Sequence, residues 1–187
     1  MGMSPALRPV LTTADLPACE LRSLVLDGEV FVVDDGVSPI DEVPGPRLRA
    51  IALGRTLAER LIVEQYSAAW VWGALFTPPL KHQVCADIAA RSRPTPALRL
   101  DVREVVIDDS DLRRVGGIRV TSPRRTAIDL ARFAPDGSTV RRVISRLMVI
   151  GDFTALDCIR VMDSRRNLPA KRRALPILRE AAALSEQ

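Results

Sequence analysis

The chain has 187 residues, 47% of them apolar and 27% charged, so it can bury a core and is not composed like a disordered segment. Its net charge of +4 hides an asymmetry: residues 1–112 hold 11 Lys and Arg against 16 Asp and Glu, whereas residues 113–180 hold 16 against 6. No run of about 18 apolar residues occurs, and the opening MGMSPALRPV lacks a signal-peptide core, so neither a membrane span nor secretion is expected and the chain reads as cytoplasmic.

Elements follow in order. Thr12 or Thr13 can cap a short turn before Leu16. Pro17 suits the first turn of a helix that carries Leu21, Leu24 and Val25 on one face and ends at Gly28. Glu29 to Val33 reads as a strand, Asp34-Asp35-Gly36 as a turn, and Val37 to Ile40 as the return strand. Pro39, Pro44, Gly45 and Pro46 then mark a linker, which sets the expected domains at 1–43 and 47–183.

Beyond the linker, the spacing of Ile51, Leu53, Leu57 and Leu61 predicts a helix over about 47–60, and the apolar stretch from Tyr66 to Leu75 a second, central one. Its two tryptophans, Trp70 and Trp72, diverge by roughly 200° around a helix. One is expected in the core, the other against the N-terminal unit or a partner. Strands are predicted at 83–88, 98–106 and 118–121. Ser122-Pro123 pairs a cap with a first-turn proline and opens a helix to about Phe133. Helices at 138–150, 154–163 and 170–183 complete the chain, with Pro176 expected to kink or split the last. The fold class is α+β: a small N-terminal unit, a mixed domain with a short antiparallel-rich sheet, and a C-terminal helical bundle.

The strings YSAAWVWG (Tyr66–Gly73) and GGIRVTSPRRTAIDLAR (Gly116–Arg132) resemble the core of the AbiEi family of antitoxin-type transcriptional regulators, which belong to type IV toxin–antitoxin systems. The second string carries the pattern Val-Thr-Ser-Pro-x-Arg-Thr-x-x-Asp-Leu-Ala at Val120 to Ala131. The resemblance spans about residues 11–183. It implies a winged-helix-like N-terminal unit, repression of the family member's own promoter, and a cognate toxin as protein partner. It is to a short form, without the nuclease domain into which related actinobacterial-type chains continue. Residues 11–40 depart from a DNA-reading wing, because the hairpin reads Val32-Val33-Asp34-Asp35-Gly36 and the preceding helix sets Glu20 and Asp27 against Arg22. Carboxylates repel phosphates, so this unit is expected to be degenerate as a DNA reader.

The candidate polyanion surface therefore lies in the last third. Arg124 and Arg125 sit near a helix start, where backbone N–H groups also attract anions. Arg141, Arg142 and Arg146 can share a helix face. Arg165, Arg166, Lys171, Arg172 and Arg173 cluster around the final loop. DNA is the expected partner. The alternatives are an ordinary wet face, a protein-interaction module whose acidic N-terminal unit docks a basic partner, and a remnant of a nuclease-fusion lineage.

No enzyme or cofactor is expected, since GxxxxGK[ST], HExxH, GxSxG and DxDxDG patterns are missing. His82 reads as structural, Asp108, Asp109 and Asp111 as a solvated turn, and Cys19, Cys85 and Cys158, which form no CxxC pair, as free thiols rather than metal ligands.

Overall fold

The computed structural model describes residues 8–88, 99–165 and 168–184. It divides into two units, residues 1–58 with 115–118 and residues 59–114 with 119–187. The Pro-rich stretch at 44–46 is therefore not the boundary, and the helix after it falls in the first unit. No helix among the described residues is long and apolar enough to cross a membrane.

In the first unit, Pro17 and Gly28 bracket helix α1 (Ala18–Leu26), with Gly28 in the left-handed region at φ 73°. The turn before it is held by Asp15, which accepts from the Thr12 amide at 3.0 Å and the Thr12 hydroxyl at 3.1 Å, and which pairs with Arg8 and Arg55. Strands β1 (Val30–Val33) and β2 (Gly36–Pro39) form the expected antiparallel hairpin, with Asp34 taking a positive φ in the turn. Leu11 bonds reciprocally to Val37 along the far side of β2. A small core of Leu11, Leu21, Val30 and Val37 results, and helix α2 (Pro46–Gly54) completes the unit. Gly116 has φ 54°, and a Cβ there would stand 2.7 Å from the Arg47 carbonyl oxygen, so only glycine fits.

In the second unit, β3 (Ile62–Val63) is central in a mixed sheet of order β5-β4-β3-β7-β6. It runs antiparallel to β4 (His82–Asp87) and parallel to β7 (Ile118–Thr121), while β5 (Leu100–Val105) is parallel to β4. β6 (Leu112–Val115) lies at the other edge. β3 and β6 were not expected: β3 has two residues, and β6 reads Leu-Arg-Arg-Val. Helix α3 (Gln65–Trp72) ends at Gly73, whose φ of 91° supplies the left-handed stop. Trp70 is the core tryptophan. Trp72 donates its indole N–H to the Thr121 carbonyl at 2.8 Å, inside the same unit.

The helical part is organised around α4 (Pro123–Phe133), on which α3, α5 (Ser138–Gly151), α6 (Ala155–Ser164) and α7 (Lys171–Ala183) all pack. Leu130, Ile144, Leu147, Met162 and Leu178 are fully enclosed where these helices meet. Each such aliphatic side chain contributes about 1.5–3 kcal/mol of transfer free energy. A capping box between Thr154 and Asp157 starts α6. Pro176 does not split α7, which is one helix through it.

Candidate functional site

The hub helix α4 starts at Ser122, whose hydroxyl accepts the Arg125 amide, as the Ser-Pro pattern predicts. Thr126 then bonds back to the Ser122 carbonyl at 2.9 Å and meets the Thr121 hydroxyl at 2.7 Å. From Arg125 to Arg132 every residue of α4 is buried, so the polar members of this run must find partners inside the protein.

They do so in one connected network. Arg125 donates to Asp129 one turn on, at 2.7 Å, and to Asp111 at 2.6 Å. Arg132 donates to the other Asp129 oxygen at 3.1 Å and to the Pro169 carbonyl at 2.9 Å. Glu64, 1% exposed at the start of α3, receives the guanidinium of Arg103 from β5 in a two-point contact. Arg103 also lies 3.7 Å from Asp129. Arg165 closes the other side on Asp111 at 2.6 Å and Asp108 at 3.2 Å. The guanidinium carbons of Arg103 and Arg132 sit 4.6 and 4.4 Å from the centroid of the Phe133 ring.

The network walls a cleft of about 540 Å³ lined by Arg103, Arg125, Arg132, Phe133 and Arg165 together with Glu104 and Asp108. Burial by itself would make Arg125 easier to deprotonate, but Asp129 and Asp111 outweigh it and hold its proton more tightly. Burial likewise works against Arg103, and the Glu64 contact reverses it. Arg132 goes the other way, because burial, Arg125 and Arg103 together outweigh its Asp129 partner. Every one of the four arginines has a carboxylate within ion-pair distance, so the cleft wall carries balanced charge rather than surplus cation.

The residues expected to face a polyanion therefore separate. Arg125 is corrected: its side chain is 5% exposed and committed to two carboxylates. Arg165 is likewise drawn onto Asp108 and Asp111; Asp108 and Asp109 are exposed as a solvated turn requires, whereas Asp111 is buried. Arg173 donates to the Arg132 carbonyl at 2.7 Å and to the Ala134 carbonyl, which caps the end of α4. Lys171 pairs with Asp163. Arg141 forms ion pairs with Asp136 at 2.9 Å and with Glu180 at 2.5 Å, the second without hydrogen-bond geometry.

Arg124, Arg142, Arg146, Arg172 and Arg173 are exposed, Arg173 with its guanidinium turned onto the end of α4. Arg146 lies over Phe76, 4.5 Å from its centroid, and reaches the Ala74 carbonyl at 3.3 Å. Arg166 lies outside the described residues. The structure thus brings Arg125 and Arg165 to one cleft and leaves Arg142 and Arg146, one turn apart on α5, on the surface.

His82 is buried with its Nδ1 3.1 Å from the Ser67 hydroxyl and its ring 6.0 Å from Trp70. Among the described residues, no set of three or more His, Cys, Asp and Glu is placed to hold a metal ion. Glu64 and Arg103 are the network members the sequence did not flag. Nothing local marks them, since they meet across strands that only the fold aligns.

These features define an α+β protein whose helical hub is tied to its sheet by a buried guanidinium–carboxylate network. The chain belongs to the AbiEi antitoxin C-terminal domain family, whose model matches residues 62–177 and so takes in the whole network. That is a family of antitoxins rather than a class of enzymes. Among solved structures, the chain is similar to the RV2827C protein from Mycobacterium tuberculosis, at 19% identity and a TM-score of 0.49, over 96% of this chain and 76% of that one. No curated protein matches it significantly.

Proposed function

We propose that the chain is a cytoplasmic, non-enzymatic antitoxin-type regulator that binds the DNA of its own promoter through exposed arginines of the second unit and neutralises a cognate toxin. The reading is supported most by the family membership joined to one placement: Arg142 is exposed on α5 one turn from Arg146, which lies over Phe76 at the surface, and Arg124 and Arg172 are exposed at the first turns of α4 and α7. Guanidinium groups in water exchange their counterion atmosphere for phosphate readily, whereas those in the cleft are already neutralised. Arg125, Arg165 and Arg173 then serve the fold through their side-chain partners, and the contact set narrows to Arg124, Arg142, Arg146 and Arg172.

The test is fluorescence anisotropy of a labelled duplex from the region upstream of the gene, titrated between about 50 and about 200 mM salt. Binding should weaken steeply with salt. The triple variant Arg124→Ala, Arg142→Ala, Arg172→Ala should flatten the salt slope by about 1 for each phosphate contact removed. Absence of binding at the lowest salt, or an unchanged slope in the variant, defeats the DNA reading. Toxin neutralisation is checked separately by co-expression with the product of an adjacent gene, where failure to restore growth counts against it.

A further inference from the structure

The first unit carries a groove of about 540 Å³ between α1 and the β1–β2 hairpin. Its lining is largely apolar: Ala18, Leu21, Val25 and Leu26 come from α1, and Val32 and Val37 from the hairpin. Leu26 is 86% exposed and Val32 64%, so the groove leaves large aliphatic side chains uncovered on both walls. In a layout of helix followed by β-hairpin, these are the two elements that would meet DNA. The charges around the groove oppose that use. Among the described residues lining it, Arg22 is the cation and Asp34 and Asp35 are the anions, and residues 1–58 as a whole hold 5 Arg against 8 Asp and Glu. A phosphate backbone would meet aliphatic carbon and like charge there.

An amphipathic protein helix has the opposite requirements. It needs a trough that accepts aliphatic residues at i, i+3, i+4 and i+7, and rim charge opposite to its own. Leu26 and Val32 supply apolar contact on either wall, and Asp34 and Asp35 at the hairpin turn supply the rim. We propose that this groove is a protein-docking site that takes an amphipathic segment of a partner, apolar on one face and flanked by Lys or Arg. The inference goes beyond the DNA reading, which concerns residues of the second unit.

The probe is a labelled synthetic helix with Leu at i, i+3, i+4 and i+7 and Lys elsewhere, titrated into the full chain. A sequence-matched peptide with Glu in place of Lys is the control. The Lys peptide should bind, and the Glu peptide should bind at least tenfold more weakly. Leu26→Lys with Val32→Lys should abolish binding. Asp34→Asn with Asp35→Asn, which keeps a residue type that tolerates the turn, should weaken it severalfold. Circular dichroism of each variant checks that the unit is folded, and Leu26 and Val32 are exposed enough for substitution to leave the core intact. Equal binding of both peptides, retained binding in the Lys variants, or amide shifts in the groove on adding duplex DNA instead of peptide overturns the proposal. So does a groove already filled by a second copy, seen as self-association that Leu26→Lys abolishes.

Discussion

Arg125 and Asp129 stand one turn apart on the same helix, 2.7 Å from each other, with side chains 5% and 0% exposed. An i,i+4 pair on a solvated helix contributes a few tenths of a kcal/mol and can be removed with little effect. Here water is excluded, and Asp129 is shared with Arg132 while Arg125 is shared with Asp111. Removing one member leaves the others charged and desolvated. Arg125→Met should therefore destabilise the chain by about 3–5 kcal/mol, and Asp129→Asn comparably. The double variant should cost less than the sum, with a coupling of about 0.5–3 kcal/mol. Urea unfolding followed by circular dichroism measures all three. Additive costs below about 1 kcal/mol would mean the pair is solvated in practice.

The same helix allows a test of its start. Ser122 is 6% exposed and accepts the Arg125 amide through its hydroxyl. Ser122→Ala removes that acceptor and should cost about 1 kcal/mol in the same unfolding measurement. Ser122→Asp should recover most of it if the cap alone matters. A failure of Asp to recover it would place the hydroxyl's value in packing instead.

How far the sequence revealed this follows from where the partners lie. Ser122-Pro123, Pro17, Gly28 and Gly73 are local signals, and the helices they bound are found. The Ser-Pro-x-Arg-Thr-x-x-Asp pattern was legible as a helix start, but not as a buried charge network. Arg125 looks like a surface cation in sequence because its carboxylate Asp111, like the Glu64–Arg103 pair in the same network, comes from outside its own helix. For the same reason Arg173 reads as a free cation until the end of α4 is seen beneath it. The groove of the first unit was half legible: its acidity was plain, and the exposure of Leu26 and Val32 was not.

Gly116 offers a backbone test. Its φ of 54° costs an L-residue about 1–2 kcal/mol, and a Cβ would press on the Arg47 carbonyl oxygen at 2.7 Å and on Ala50 at 2.9 Å. Gly116→Ala should lower the thermal midpoint by several degrees. Gly117→Ala, with φ 90° but nothing within 4 Å, should pay the backbone term alone and be the milder of the two. A reversal of that order would contradict the close approach.

The thiols differ in access. Cys19 is exposed, while Cys85 and Cys158 are buried. Burial pushes the Cys158 thiol up to about 12, and burial with the nearby Glu64 carboxylate raises Cys85 further. Thiolate is the reactive form, so both are protected by charge state as well as by packing. Iodoacetamide on the native chain should label Cys19 within minutes and give one adduct by mass spectrometry, with three in denaturant. Early labelling of Cys158 would mean that the α4–α6 packing opens readily.

Two aspartates give the pH dependence its direction. The Thr12 amide, ahead of the Thr12 hydroxyl and the two flanking arginines, holds the Asp15 carboxyl below its ordinary 3.8. At Asp157 the Thr154 hydroxyl leads, followed by the Thr154 amide. Both folded values are depressed, so each carboxylate stabilises the native state above 3.8 and its contribution fades as pH falls through the lower folded value. A carbon-detected carboxyl titration should place both midpoints below 3.8. Thr154→Val deletes one donor to Asp157 and should move that midpoint upward while leaving Asp15 in place. Movement of Asp15 in the same variant would show that the two are coupled, and a wild-type midpoint for Asp157 at or above 3.8 would show that the capping box is open in solution.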